Sequence, residues 1–404
     1  LVYQAPVATR SGYGDHARDL LNSFRELGLY DIKIISTRWG VTPMDQLDPQ
    51  NEFHNWILNN IVPSPPPNID VYVQMTVPNE FQRAGKINIG VTAGIESTIC
   101  PKDWIDGCNR MDLIIGTSEH SKNVFLRTVF QERRQDTNQV INEFKITKPI
   151  EVLFEGAEYQ KTEGLEILDN IKEDFVFLFV GHWLQGDLYH DRKDIGGLIQ
   201  TFLAAFGKSK SSKPALLLKT SSAGFAVRDR EEIAKKVEEI KKTVGGEASV
   251  YLLHGDLTET DMWKLYNHPK IKSMVSFTHG EGFGRPLLEF SLTGKPIIAS
   301  GWSGHLDFLD DGAVLLDGEL KNVHESAANQ FLIKESQWFY VNYSNAALKL
   351  LDVFANYKKY LVSSERMGAY NKTEFSFSKM KDALGNICKR HIKIAQQMDL
   401  KLPS

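Results

Sequence analysis

Cysteine is scarce in this chain: three residues in 404, at positions 100, 108 and 388. An odd count with no Cys/His ligand spacing excludes a disulfide framework and a cysteine zinc site. It points to free thiols in a reducing compartment, the cytoplasm. Long apolar runs are missing too, and no stretch approaches the roughly 20 residues of a membrane-spanning helix. The opening "LVYQAPVATRSG" lacks the basic-then-apolar order of a signal peptide. It starts abruptly inside a strand-like run, which reads as a trimmed initiator end. Neither sign of charge dominates: the formal net charge is −4, so the whole-chain balance gives no sign of a nucleic-acid or anionic-membrane binder. The basic clusters "QERRQ" at 131–135 and "CKRHIK" at 388–393 read as solvated surface. Internal repeats of fixed period are absent, which excludes a solenoid or propeller.

The remaining composition, 42% hydrophobic and 24% charged, is that of a globular protein, and the length suits two domains. Short apolar runs alternate with helical patterns almost throughout. The first half offers "LVYQA", "DIKIIST", "NIDVYVQM", "KINIGVT", "DLIIGTS" and "PIEVLFEG" as strands, with helices over 15–27 and 119–130 among them. The second half restarts with "DFVFLFVG", "PALLLKTS", "SVYLLHG", "SMVSF", "KPIIAS" and "AVLLDG". Its helix "DREEIAKKVEEIKKTVGG" ends on a glycine pair suited to a C-terminal stop. Continuous apolar strands alternating with helices predict parallel sheets covered on both faces. The expected class is α/β, with two doubly wound, Rossmann-like domains facing each other. The first covers 1–156, a polar connection follows over 156–172, and the second covers 173–375. A helical tail over 376–404 is long enough to pack back across the first domain.

The most informative stretch is "SMVSFTHGEGFGRPLLEFSLTGKPIIASGWSG", from Ser273 to Gly304. It reads as strand, glycine-rich loop, helix opening at Pro286, and next strand, with Gly294 at the helix's far end. Such a helix start lies at the carboxyl edge of a sheet, where these folds bind ligands, and its amides and dipole attract phosphate. Gly280, Gly282 and Gly284 let the backbone come close to a ligand, with Phe283 between the last two. Glu281 precedes the turn and suits hydroxyl groups; Glu289, one turn into the helix, suits a diol such as ribose. For Glu289 alone, an acid stabilising its own helix by about 0.3–1 kcal/mol would suffice. The arrangement as a whole describes a nucleotide sugar.

This block resembles the E-x7-E signature of retaining glycosyltransferases of the GT-B fold, family 4 in particular. In that family two Rossmann-like domains face across a cleft, and a C-terminal helix packs back on the N-terminal domain. One departure is Arg285, where Leu or Met is usual; it either adds a charge-assisted phosphate contact or points outward. By the same resemblance, "FVGHWLQGDLYHDRKDIGGLIQTF" is the unit that meets the donor diphosphate, with Lys193 the main cation beside Arg192. His182 stands where Arg is common, and is expected to be neutral at pH 7. Lys219 closes the apolar strand "ALLLK", which is costly without a partner; it is either the replacement cation or half of a structural pair. Leu253 and His254 fall where the family's backbone holds the nucleobase. "ATRSGYGDHARDLL" resembles the glycine turn that meets the donor on cleft closure, through Gly12 and Gly14. Tyr13 within it is an acceptor-side candidate, and so is Glu96, where "VTAGIESTICPKDW" resembles a branch of the family carrying F-E-T-D and then P-x-x-W. "VLFEGAEY" at 152–159 resembles the family hinge, with Phe154 in place of Pro.

The activity implied is transfer of a hexosyl or pentosyl group from a nucleotide-diphosphate sugar to a hydroxyl of a saccharide or glycoconjugate, with retention. Glu281, Lys193 and Lys219 would be the catalytic set. A UDP-sugar is favoured as donor and a GDP-sugar is the alternative, with no metal required. Three rivals remain: a phage-type transferase acting on modified bases in DNA, a sugar-nucleotide epimerase that would share the architecture and donor, and a glycogen-type phosphorylase, which would need a pyridoxal phosphate lysine.

Overall fold

The computed structural model describes residues 1–207, 213–222 and 226–392. The first sheet is built from β1 (Val2–Ala5), β2 (Lys33–Ser36), β3 (Ile69–Met75), β4 (Gly85–Thr92) and β5 (Leu113–Gly116). A separate antiparallel hairpin, β6 (Phe130–Arg133) with β7 (Val140–Phe144), precedes its last strand, β8 (Ile150–Val152). The order is β2-β1-β3-β4-β5-β8, parallel throughout. Helices α1 (Gly12–Leu27), α2 (Glu52–Asn60), α3 (Lys102–Arg110) and α4 (Glu119–Arg127) connect the strands.

The second sheet contains β9 (Val176–Val180), β10 (Ala215–Lys219), β11 (Val250–Leu253), β12 (Ile271–Ser276), β13 (Ile297–Ser300) and β14 (Val314–Leu316). Its order, β11-β10-β9-β12-β13-β14, is again all parallel. Helices α5 (Ile195–Phe206), α6 (Val227–Val244), α7 (Glu259–Asn267) and α8 (Arg285–Ser291) flank it. Successive residues of β9 alternate between its two faces: Phe177 and Phe179 join one core cluster, Val176 and Leu178 the other. Period-two alternation of two apolar faces is what a strand covered on both sides requires. Strand order reverses between β9 and β12, and in doubly wound sheets the crevice at that point binds ligands.

An antiparallel pair, β15 (Gly318–Asn322) and β16 (Gln337–Val341), extends the second half toward the first. Thr98 donates its amide to the Gln337 carbonyl at 2.8 Å, and Phe331 lies 6.0 Å from the Trp104 ring. The chain continues through α9 (Tyr343–Ala355) and α10 (Tyr357–Glu374) to α11 (Phe377–His391). Met380, Leu384, Ile387 and Cys388 of α11 share a core with Leu20 and Phe24 of α1, so the tail packs on the N-terminal half. Helix α11 ends at His391, and the part of the expected tail over 376–404 that follows 392 lies outside the described residues.

One local expectation shifts. The helix expected over 119–130 stops at Arg127, because the chain from Phe130 pairs with β7 instead. Gly284 adopts φ 96° as the N-cap of α8 and Gly294 adopts φ 74° beyond its end. Both are left-handed conformations that glycine enters without a Cβ penalty.

Candidate active site

The loops leaving β9 and β12 meet at the strand-order reversal. Asp194 caps α5 in a left-handed conformation, φ 47°, its carboxylate accepting the Gly197 amide at 3.1 Å and the Tyr343 hydroxyl at 2.6 Å. Asp is among the few non-glycine residues that tolerate that backbone. The cap fixes the two residues before it, Arg192 and Lys193. The stem of Lys193 crosses the end of β9: a Cβ on Gly181 would come within 3.3 Å of its Cε. Its ammonium donates to Glu281 Oε1, and Arg192 donates to Glu281 Oε2 at 3.2 Å and to the Gly280 carbonyl at 3.1 Å. Arg192 also pairs with Glu96 at 3.5 Å.

Glu281 and Lys193 are 6% and 9% exposed, so this ion pair is desolvated and both partners are needed to hold it. Burial alone would push the Glu281 carboxyl up, but Lys193 and Arg192 bring it down to about 2. Burial pulls the Lys193 pKa down while Glu281 opposes the shift. The Glu281 amide donates to Ser303 Oγ at 2.9 Å, and its carbonyl accepts the Gly304 amide at 3.0 Å, which locks the carboxylate against Lys193.

His182 lies behind this pair, Nδ1 3.1 Å from Ser221 Oγ. Burial first, then the charges of Lys193, Lys219 and Arg192, lower its pKa, consistent with the neutral ring expected. The same field shows that these three cations gather at one sheet edge. Lys219 donates to the Gly255 carbonyl at 2.8 Å, and burial lowers its pKa against the pull of Asp256. Leu253 ends β11, half-buried against the second-sheet core. His254 Nε2 lies 2.6 Å from Asp229 Oδ2, and Asp229 also accepts the Ser222 amide.

The glycine loop is pressed against the N-terminal half. A Cβ on Gly280 would sit 2.1 Å from the Glu96 carbonyl, and one on Gly282 would sit 2.4 Å from the Ala93 carbonyl. The Gly282 carbonyl accepts from Ser118 Oγ at 2.5 Å. Among the described residues, the amides of Gly282, Phe283, Gly284 and Arg285 donate to no acceptor. Phe283 itself is a core side chain, buried 5.1 Å from the Phe308 ring.

Arg285 neither faces that loop's amides nor points to solvent. Its guanidinium is committed to Asp19 of α1 and, at 2.9 Å, to Glu289 one turn on, with Glu155 3.9 Å away. Glu289 also accepts the Tyr266 hydroxyl at 3.2 Å. Burial raises the Glu289 pKa against the pull of Arg285. Burial drives Glu155 up to about 8 and His16, 3.9 Å from it, down to about 3. This buried network across the two halves was missed in the sequence, which marked neither Asp19, His16 nor Glu155. The one signal was an acid inside the hinge-like "FEGA".

On the N-terminal side, Tyr13 bonds Thr92 Oγ1 at 3.2 Å and accepts the Ala93 amide at 3.0 Å. Burial pushes its hydroxyl up to about 12. Gly12 is exposed with open space where a Cβ would go, whereas a Cβ on Gly14 would meet the Thr9 carbonyl at 2.2 Å. The structure therefore gathers Lys193, Arg192, Glu281 and Glu96 at one point, while His182 is held by Ser221. It leaves Arg285 and Glu289 in the interdomain network.

Two facing, doubly wound sheets with a tail returning to the first define the GT-B type of fold. No protein-family model matches the chain, and no curated protein does. Solved structures share the fold at low identity. A glycosyltransferase from Rickettsia africae superposes with a TM-score of 0.62 at 14% identity, covering 97% of this chain and 98% of that one. Anabaena Alr3699/HepE in complex with UDP-glucose gives 0.57 at 12%, covering 96% and 99%. A trehalose-6-phosphate synthase studied with bisubstrate glycomimetics of glycosyltransfer with retention gives 0.58 at 12%, covering 96% and 98%.

Proposed function

We propose that the protein is a retaining glycosyltransferase that moves a sugar from a UDP-sugar to a hydroxyl of a saccharide or glycoconjugate. The observation that carries this reading is the buried Lys193–Glu281–Arg192 cluster at the strand-order reversal of the second sheet. Structures of like fold add support, one of them holding UDP-glucose. In this reading residues 1–156 supply the acceptor side, 173–375 the donor side and 376–404 the returning helix.

Breaking the anomeric bond leaves negative charge on the departing diphosphate. Lys193 has three donors and gives one to Glu281, so the others remain for phosphate oxygens. Arg192 and Lys219 add charge at the same edge, and the amides of 282–285 supply neutral donors. Groups held in place beforehand stabilise developing charge without reorganising during the step. These cations do the neutralising that a metal would otherwise do, so the reading calls for none. Glu281, held ionised, accepts hydroxyls of the transferred sugar. The acceptor hydroxyl attacks from the face the diphosphate leaves, and its proton passes to the leaving phosphate. Glu289 offers its remaining lone pairs to the ribose. The three buried thiols fit a cytoplasmic setting.

Proton NMR of the reaction with UDP-α-glucose tests the proposal. The first-formed glycoside, or glucose released to water, should be the α anomer. A β product, or an unchanged donor alongside epimerised sugar nucleotide, would contradict it.

A further inference from the structure

The N-terminal side of the cleft carries an aromatic pair that the donor chemistry does not use. Trp39, in the loop after β2, stacks on Tyr13 with ring centroids 3.8 Å apart and planes 18° from parallel. Tyr13 is pinned from below by Thr92 and the Ala93 amide. Trp39 is only half-buried. Among the described residues it makes no second ring contact and joins no hydrophobic cluster. Its neighbours Arg38, Gly40 and Val41 are exposed, Val41 by 86%. A tryptophan left at a surface, with its indole stiffened by a stack, is the informative kind of exposure.

Its position ties it to the reaction. Tyr13 touches Ala93, and the Ala93 carbonyl lies against Gly282, next to Glu281. Charged groups sit on the same loop and on those beside it, since the Arg10 amide donates to the Pro43 carbonyl at 3.0 Å. Arg10 bonds Asp45 at 2.9 Å and also Asp256 of the opposite half, and Glu96 belongs to the Ala93 loop. Each of these carboxylates retains lone pairs beyond its one guanidinium contact.

We propose that the Trp39–Tyr13 stack is an acceptor subsite on which the ring of a saccharide rests; this depends on the glycosyltransferase reading. A pyranose offers an apolar C–H face to an aromatic ring and hydroxyls at its edge to carboxylates. The platform and these charged groups supply both. A lipid chain would leave the charges unmatched, and a DNA strand would bring phosphates toward Asp45 and Glu96.

Saturation-transfer NMR with cellobiose and with maltose, in the presence of UDP, tests the subsite. The sugar C–H protons should receive saturation. Trp39→Ala should weaken saccharide affinity roughly ten-fold, while Trp39→Phe keeps most of it. The UDP-glucose affinity of both variants should match wild type, and Trp39→Phe should keep the wild-type melting temperature. Equal saccharide binding by wild type and Trp39→Ala would overturn the inference, as would a wild type that binds a DNA oligonucleotide but neither disaccharide. If wild type fails to bind UDP-glucose, the glycosyltransferase reading falls with it. If UDP-glucose binds and only the Trp39 effect is missing, the subsite alone is wrong.

Discussion

Glu281→Gln is the perturbation that reports most fully on the proposed donor site. The side chain is nearly isosteric, so packing is kept, but Lys193, 9% exposed, loses the carboxylate it donates to. Removing one partner of a buried pair typically costs about 3–5 kcal/mol. Two features soften that figure: the Gln carbonyl still accepts a hydrogen bond, and Arg192 keeps Glu96 at 3.5 Å. We expect about 3 kcal/mol, or a fall in melting temperature of roughly 6–12 °C for a domain of this size. The pH dependence gives a second signature. The folded pKa of Glu281 is depressed to about 2 from 4.5, so its stabilisation is present above about pH 4.5 and is lost as pH falls toward 2. Scanning calorimetry from pH 6 to pH 2 should show that loss in wild type and a shallower acid limb in the variant. Turnover should drop as well, since a neutral amide no longer balances Lys193. A variant with wild-type melting temperature and wild-type acid limb would refute the ion pair and the site built on it.

Gly14→Ala should cost about 1–3 kcal/mol, because the new methyl meets the Thr9 carbonyl. Gly12→Ala should change stability by less than about 0.5 kcal/mol, so equal destabilisation in urea melts would contradict the geometry. Glu155→Gln mimics the protonated acid. The folded pKa of Glu155 is raised to about 8, so wild type loses stability as pH rises from 4.5 through 8. The variant should match wild type near pH 4.5 and melt higher at pH 8; identical curves at both would rule out the raised value.

Every strand of the two sheets was visible in the sequence because each is a short run rich in apolar and β-branched residues, and those covered on both faces, such as "FLFV" or "ALLLK", are the plainest. The two antiparallel pairs were not. "GELKN" of β15 is wholly exposed and "FQER" of β6 nearly so, so neither leaves a burial pattern to read. In the site, the glycine block, Lys193 and Glu281 were legible because they sit within two short segments. The fate of Arg285 was not: its partner Asp19 is 266 positions away and looks like one more charge on an amphipathic helix. Gly14 reads like Gly12 in the sequence, yet only Gly14 meets a wall of backbone. Trp39 left no trace, since a lone aromatic in a loop has no periodicity.

A crystal structure of the protein with UDP-glucose would show where the donor diphosphate binds. The diphosphate should lie within hydrogen-bond reach of Lys193 Nζ and the amides of residues 282–285, with the glucose hydroxyls at Glu281. A nucleotide lodged elsewhere, or Lys193 and the glycine loop still closed against protein with ligand bound, would contradict that placement.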